Sequence, residues 1–273
     1  MYLFLMIAIE WRMTYLLNLS PVWQGLLATL FTWFVTALGA GTVFFFRPAH
    51  RRALDLMMGF AAGVMLAACF WSLLAPAIAL SAALSRNAWV SPTAGFLLGG
   101  AFIIGSDILL SRAALFHPKG ACFKRSILLT FAVTLHNIPE GLAVGVAFGS
   151  AAIGVEGATV TGAMMLAFGI GLQNFPEGAC VSVPLRRDGA SRLKSFMIGQ
   201  ASGAVEPVAG VLGALSALTV RGALPLALSF SAGAMAAVVC SELIPESSRE
   251  SKTLAACGVL LGFAVMMALD VAL

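Results

Sequence analysis

The chain has 273 residues, 60% of them hydrophobic and only 10% charged, with a net charge of +4 and a mean hydropathy of +0.97. Soluble domains carry about 25% charged residues, so this composition excludes a soluble globular protein and points to an integral membrane protein. The small positive balance indicates no nucleic-acid partner, because the basic residues sit in short loops between apolar stretches, and no G-x-x-x-x-G-K-[ST] run offers a nucleotide site.

In chain order, Met1 to Leu19 is apolar but interrupted by Glu10 and Arg12. It lacks the charged leader and small-residue cleavage site of a signal peptide. An interfacial helix, a short ninth span and a misassigned start all remain open for it. Apolar stretches of spanning length, about 20 residues, follow near 22–46, 54–79, 90–111, 126–149, 158–185, 195–220, 222–246 and 253–272. The expectation is an all-α polytopic bundle of eight transmembrane helices forming one domain over residues 1–273. The odd loops hold thirteen Lys and Arg against two (Arg86, Arg221) in the even loops. The positive-inside rule then puts the odd loops in the cytoplasm and both termini outside.

The fourth and fifth stretches carry related hexamers, His136-Asn137-Ile138-Pro139-Glu140-Gly141 and Gln173-Asn174-Phe175-Pro176-Glu177-Gly178. Ionisable groups within a membrane are costly and mark function by default. His136 and Glu140 lie 11 and 15 residues beyond Arg125, Gln173 and Glu177 lie 13 and 9 before Arg186, and Glu206 lies 12 beyond Lys194. At about 1.5 Å per residue these fall near the middle of a core about 30 Å thick. Met65, 13 residues past Arg52, is at a similar height. Spans four and five run in opposite directions, so a shared motif at a shared depth suggests an inverted repeat with a midplane site.

The four-residue spacing puts His136 with Glu140, and Gln173 with Glu177, on one helical face each. Asn137 and Asn174 widen those faces. Pro139 and Pro176 crowd the carbonyls of Leu135 and Leu172, and Gly141, Gly145 and Gly149 suit close helix contact. Imidazole, carboxylate and amide oxygen, with the Met65 thioether, make a donor set for Zn²⁺, Fe²⁺, Mn²⁺, Co²⁺ or Cd²⁺. Three midplane carboxylates also need neutralising, which one or two divalent cations would do. Taken singly, Glu206 could bond a backbone carbonyl and Met65 could be ordinary packing; taken together at one depth, the set is hard to read that way. Asp107 and Glu242 lie closer to the cytoplasmic side, as way-stations or as interfacial charges. His50, His117, Asp188, Glu246 and Glu250 read as solvated. Cys69, Cys122, Cys180, Cys240 and Cys257 have no C-x-x-C spacing and read as small buried hydrophobes or idle thiols.

These residues make the chain similar to the ZIP family of divalent-metal transporters, most of all its bacterial GufA-type branch. The resemblance rests on the two hexamers, on Gly199-Gln200-Ala201-Ser202-Gly203-Ala204-Val205-Glu206-Pro207 and on Ser241-Glu242-Leu243-Ile244-Pro245-Glu246. It covers essentially the whole chain. It implies uptake of Zn²⁺ and similar cations into the cytoplasm across a bacterial inner membrane, through a two-metal site between spans four, five and six. The implied ligands are His136, Asn137, Glu140, Gln173, Asn174, Glu177 and Glu206, with Met65 from span two. Many relatives have His where this chain has Gln173, some have an acid where it has Asn174, and some have His where it has Ser241. A His-rich loop between spans three and four is reduced here to His117.

The leading expectation is therefore a secondary transporter, with no catalytic cofactor and with the metal ion as substrate. A selective channel is the alternative. An intramembrane metalloenzyme is a third reading, weakened because such sites use motifs like H-E-x-x-H and the spans hold one histidine. The lipid bilayer is the obligate partner, and a homodimer is a further expected partner state.

Overall fold

Long runs of alanine, leucine, valine and glycine leave a chain in lipid one economical choice, which is to satisfy its own backbone hydrogen bonds as helix. A computed structural model describes residues 19–45, 51–84, 87–115, 121–155, 157–187, 189–219 and 221–272, and these contain helices and turns without strands. Residues 1–18, His50, His117 and Asp188 lie outside the described residues, as do the side chains of Cys122 and His136.

Helix α1 (Pro21–Ala40) starts with proline at its first position, where the missing N–H costs nothing, and is carried on by the short turn Thr42–Phe45. Helix α2 (Arg51–Ala68) continues through a π-helical stretch, Cys69–Leu74, into Ala75–Leu84. Then come α3 (Val90–Leu115), α4 (Ala121–Ala152) and α5 (Val160–Arg187). The sixth span is two helices, α6a (Arg192–Gly203) and α6b (Glu206–Thr219). Helix α7 (Leu224–Val238) again passes through a π-helical stretch, Val239–Leu243, into Ile244–Ser247, and α8 (Lys252–Ala272) ends the bundle. Six of these eight units are long and apolar enough to cross a membrane on length and composition. The other two, α4 and α5, are 32 and 28 residues long and carry the hexamers.

One expectation needs amendment. The sixth span is interrupted at Ala204 and Val205, because Pro207 has no N–H to give the carbonyl of Gly203 four residues back. Pro139 and Pro176, in contrast, sit inside helices that run on past them.

The helices form two groups. In one, α1 packs along α5 and α4 along α6b; in the other, α2 packs along α8 and α3 along α7. Contacts between the groups run chiefly from α2 to α5 and from α7 to α4. Glycine makes the closest approaches possible. Gly63 lies against the backbone at Val259 and Phe263, and Gly262 against Phe60. The mirror arrangement joins α7 and α3, with Gly233 against Phe96 and Gly99 against Phe230. The backbones in each pair rise together, so paired helices are parallel and an even number of crossings separates them.

This second set of contacts repeats the first. Phe60-Ala61-Ala62-Gly63-Val64-Met65-Leu66-Ala67 in α2 matches Phe230-Ser231-Ala232-Gly233-Ala234-Met235-Ala236-Ala237 in α7. The two helices are an odd number of crossings apart and so run in opposite senses. The same relation extends to the hexamer helices: Gly141 of α4 abuts Glu206, and Gly178 of α5 abuts Thr36.

Candidate metal site

The hexamers meet where α4 and α5 cross the middle of the bundle. Asn137, Glu140, Gln173, Asn174, Glu206 and Met65 are fully buried, and Glu177 is 2% exposed. Burying this many polar groups is tolerable only if they are paired. Gln173 Nε2 donates to Glu140 Oε1 at 2.5 Å, which ties α5 to α4. Asn137 Nδ2 donates to Ser202 O at 2.9 Å. Asn174 Nδ2 donates to both oxygens of Glu206, each at 3.0 Å, and lies 3.3 Å from Thr32 O. The Thr32 hydroxyl donates to Glu206 Oε2.

All three amides thus spend their nitrogens on protein acceptors. Their oxygens, Asn137 Oδ1, Gln173 Oε1 and Asn174 Oδ1, remain buried without a hydrogen-bond donor, and so does Glu140 Oε2. At Gln173 and Asn174 it is the amide nitrogen that faces the carboxyl group, of Glu140 and of Glu206 respectively. Buried oxygens of this kind suit a hard or borderline cation, and among the described residues no donor serves them. Glu140, Glu177 and Glu206 lie within electrostatic range of one another. Among the described residues, however, no three of His, Cys, Asp and Glu converge closely enough to hold one ion.

The break in the sixth span is stitched from its neighbours. The last carbonyls of α6a lack intrahelical partners. Trp33 Nε1 of α1 donates to Gln200 O at 2.8 Å, and Asn137 of α4 serves Ser202 O. Glu206 occupies the first turn of α6b, where the positive end of the helix dipole favours a carboxylate.

Two groups of residues outside the sequence expectations matter here. Asp270 near the end of α8 accepts from Ser72 Oγ at 2.7 Å. Both line a cavity of about 240 Å³ with Trp71, Ser150, Thr159 and Leu166. Asp270 Oδ2 and Ser150 Oγ are buried in it without a partner. Thr32, with Thr29 and Thr36, forms a fully buried polar stripe on α1. The available signals were an acid in the last span and a threonine spacing of three and four. Asp107, by contrast, is exposed on α3, and Glu242 is half-buried in the π-helical stretch of α7. Glu246 pairs with Arg249 at 2.8 Å, so it is not simply solvated. Of the cysteines described, Cys69 and Cys180 are buried, Cys240 and Cys257 are exposed, and all four are free thiols.

Comparison with known proteins agrees with this geometry. The family model "ZIP Zinc transporter" matches residues 116–270. The chain is 39% identical to "Zinc transporter ZIP11" of Homo sapiens, over 93% of this chain and 98% of that protein. It is 35% identical to "Zinc transporter GufA" of Myxococcus xanthus, over 91% of this chain and 98% of the relative. It is also 35% identical to "Zinc transporter ZIPB" of Bordetella bronchiseptica, over 87% and 77%.

Proposed function

Because the chain belongs to the ZIP zinc transporter family, we propose that it carries divalent transition-metal cations, Zn²⁺ first among them, across a membrane into the cytoplasm. Cd²⁺, Fe²⁺, Mn²⁺ and Co²⁺ fit the same donors. The observation that carries this reading is the set of buried, unpartnered oxygens that α4 and α5 both contribute. Glu140, Gln173 and Glu177, with His136 and the Met65 thioether, form the principal position for the ion. Asn137, Asn174 and Glu206 flank it on the side of the sixth span.

The route begins at the cavity holding Ser72 and Asp270, whose free carboxylate oxygen draws a cation from the outer face. The ion sheds water there and passes to the midplane cluster. Movement of the α1–α4–α5–α6 group against the other then opens the cytoplasmic side, toward Asp107 and Glu242. Complete enclosure of the cluster favours such a carrier over a continuous pore. The basic odd loops place both termini outside, in a bacterial inner membrane; a homodimer of this bundle is compatible with that arrangement. The family is one of transporters, and no part of this reading requires a catalytic step.

The test is uptake of radioactive zinc into proteoliposomes, with Cd²⁺, Fe²⁺ and Mn²⁺ assayed in parallel. His136→Ala and Glu177→Ala should reduce uptake to background, and wild-type flux should saturate with concentration. Wild-type rates in both variants would end the midplane-site reading, and flux rising linearly with concentration would replace the carrier by a channel.

A further inference from the structure

Glu206 differs from the other buried acceptors in one respect: its oxygens are already served. Asn174 Nδ2 lies 3.0 Å from both of them, and the Thr32 hydroxyl bonds Oε2. The hydroxyl of Thr36 donates to Thr32 O at 3.2 Å, tying the threonine stripe to itself. Glu206 also begins α6b, so the free N–H groups of that helix add positive potential. The carboxylate therefore has three sources of stabilisation without any cation. Glu140 Oε2, Gln173 Oε1 and Asn137 Oδ1 have none of these.

We infer that Glu206 is an anchor rather than a ligand, that Thr32 and Asn174 are the positioning residues holding it, and that the Asn174 amide nitrogen takes the place a second cation would need. Each chain then binds a single metal ion at its midplane. The inference rests on the reading that the cluster binds divalent cations, and it departs from the two-metal expectation. A zinc ion sits about 2.0–2.2 Å from carboxylate oxygen. The amide hydrogens of Asn174 point into that same space, and two positive groups exclude each other there. Asn174 Oδ1 has no donor of its own, but to share an ion with Glu206 the amide would have to turn over and put that oxygen where its nitrogen now sits. The anchor has a mechanical purpose as well: Glu206 follows directly on the break in the sixth span, so its bonds to α1 and α5 fix α6b within its helix group.

The discriminating measurement is the number of ions bound per chain. The purified full-length protein in detergent is dialysed to equilibrium against Cd²⁺, and protein-bound metal is counted by mass spectrometry. Wild type should bind one ion per chain. Asn174→Asp exchanges the amide nitrogen for an oxygen and should raise the count to two. Glu206→Gln should keep the count at one, whereas Glu140→Gln at the same free metal should bring it toward zero. Thr32→Val should lower the thermal midpoint and Thr32→Ser restore it, with the count unchanged in both. Two ions on the wild type, a count of one in a folded Asn174→Asp, or loss of the ion in Glu206→Gln would each overturn the inference while leaving transport intact. No bound ion on the wild type at saturating Cd²⁺ would instead sink the metal-binding reading itself. If Asn174→Asp does not fold, the wild-type count and the Glu206→Gln count still decide.

Discussion

Replacing Gly63 by alanine tests how far the bundle depends on backbone contact between α2 and α8. The added methyl group would lie 2.7 Å from Phe263 N and 2.9 Å from Val259 C. Ordinary carbon contacts lie at about 3.5–4.0 Å, so the helices must part by about 1 Å. A gap of about 0.5–1 Å forfeits a quarter to a half of each contact, at about 0.1–0.2 kcal/mol per atom pair. If as many pairs open as one buried leucine makes, about 40–60, the central loss is about 3 kcal/mol. Better helix propensity returns about 1 kcal/mol, leaving a net destabilisation of about 2 kcal/mol. Gly233→Ala should cost the same, since its methyl would meet Phe96 C at 2.6 Å and Phe96 Cα at 2.8 Å in the mirror contact. Gly105→Ala is the control, because nothing lies within 4 Å of its added carbon. Thermal unfolding in detergent, read by the fraction remaining monodisperse, should show the first two variants about 4–8 °C below wild type. Gly105→Ala should match or exceed wild type. Equal midpoints for Gly63→Ala and Gly105→Ala would refute the close-packing argument.

Other outcomes follow from single hydrogen bonds. Asp55 is buried, and its Oδ2 accepts from the backbone N–H groups of Glu250 at 3.1 Å and Ser251 at 2.9 Å, capping the start of α8 from α2. Asp55→Ala removes two hydrogen bonds to a carboxylate, each worth about 1.5–3 kcal/mol, and should destabilise by about 3–6 kcal/mol in the same thermal assay. Asp270→Asn should raise the KM for zinc uptake several-fold with little change in maximal rate, since the residue gathers ions ahead of the midplane; an unchanged KM would remove it from the route. Trp33→Phe deprives Gln200 O of its donor at the break in the sixth span and should cost about 1 kcal/mol. Gln173→Leu leaves Glu140 Oε1 without its partner as well, and should weaken Cd²⁺ binding at least tenfold in equilibrium dialysis.

The spans were legible because lipid imposes a single demand on length and apolarity, and the observed helix limits fall within a few residues of those read from the sequence. The buried positions of Glu140, Glu177 and Glu206 followed from counting rise along helices. What counting could not give was direction. It could not show that Asn174 turns its nitrogen to Glu206, or that Asn137 serves the carbonyl of Ser202, since both depend on which neighbour lies opposite. The interruption before Glu206 was foreshadowed by Gly203 and Pro207, but the uninterrupted hydropathy around them hid it. Met235 was passed over among twelve methionines, although its octapeptide repeats the one containing Met65. Asp55 and Asp270 sit at span ends, where a lone acid looks ordinary until its partner is seen.

The π-helical stretches in α2 and α7 bear on the origin of the molecule. A π turn is what a helix becomes when one extra residue is accommodated without shifting the turns on either side. Here the two stretches begin at Cys69 and Val239, in register with the matched octapeptides that precede them, and each is followed closely by a proline, Pro76 and Pro245. Two unconnected insertions at corresponding places are less economical than one insertion made before a gene duplication. A widened turn at the same place in both halves is what duplication of a half-molecule that already carried it would leave.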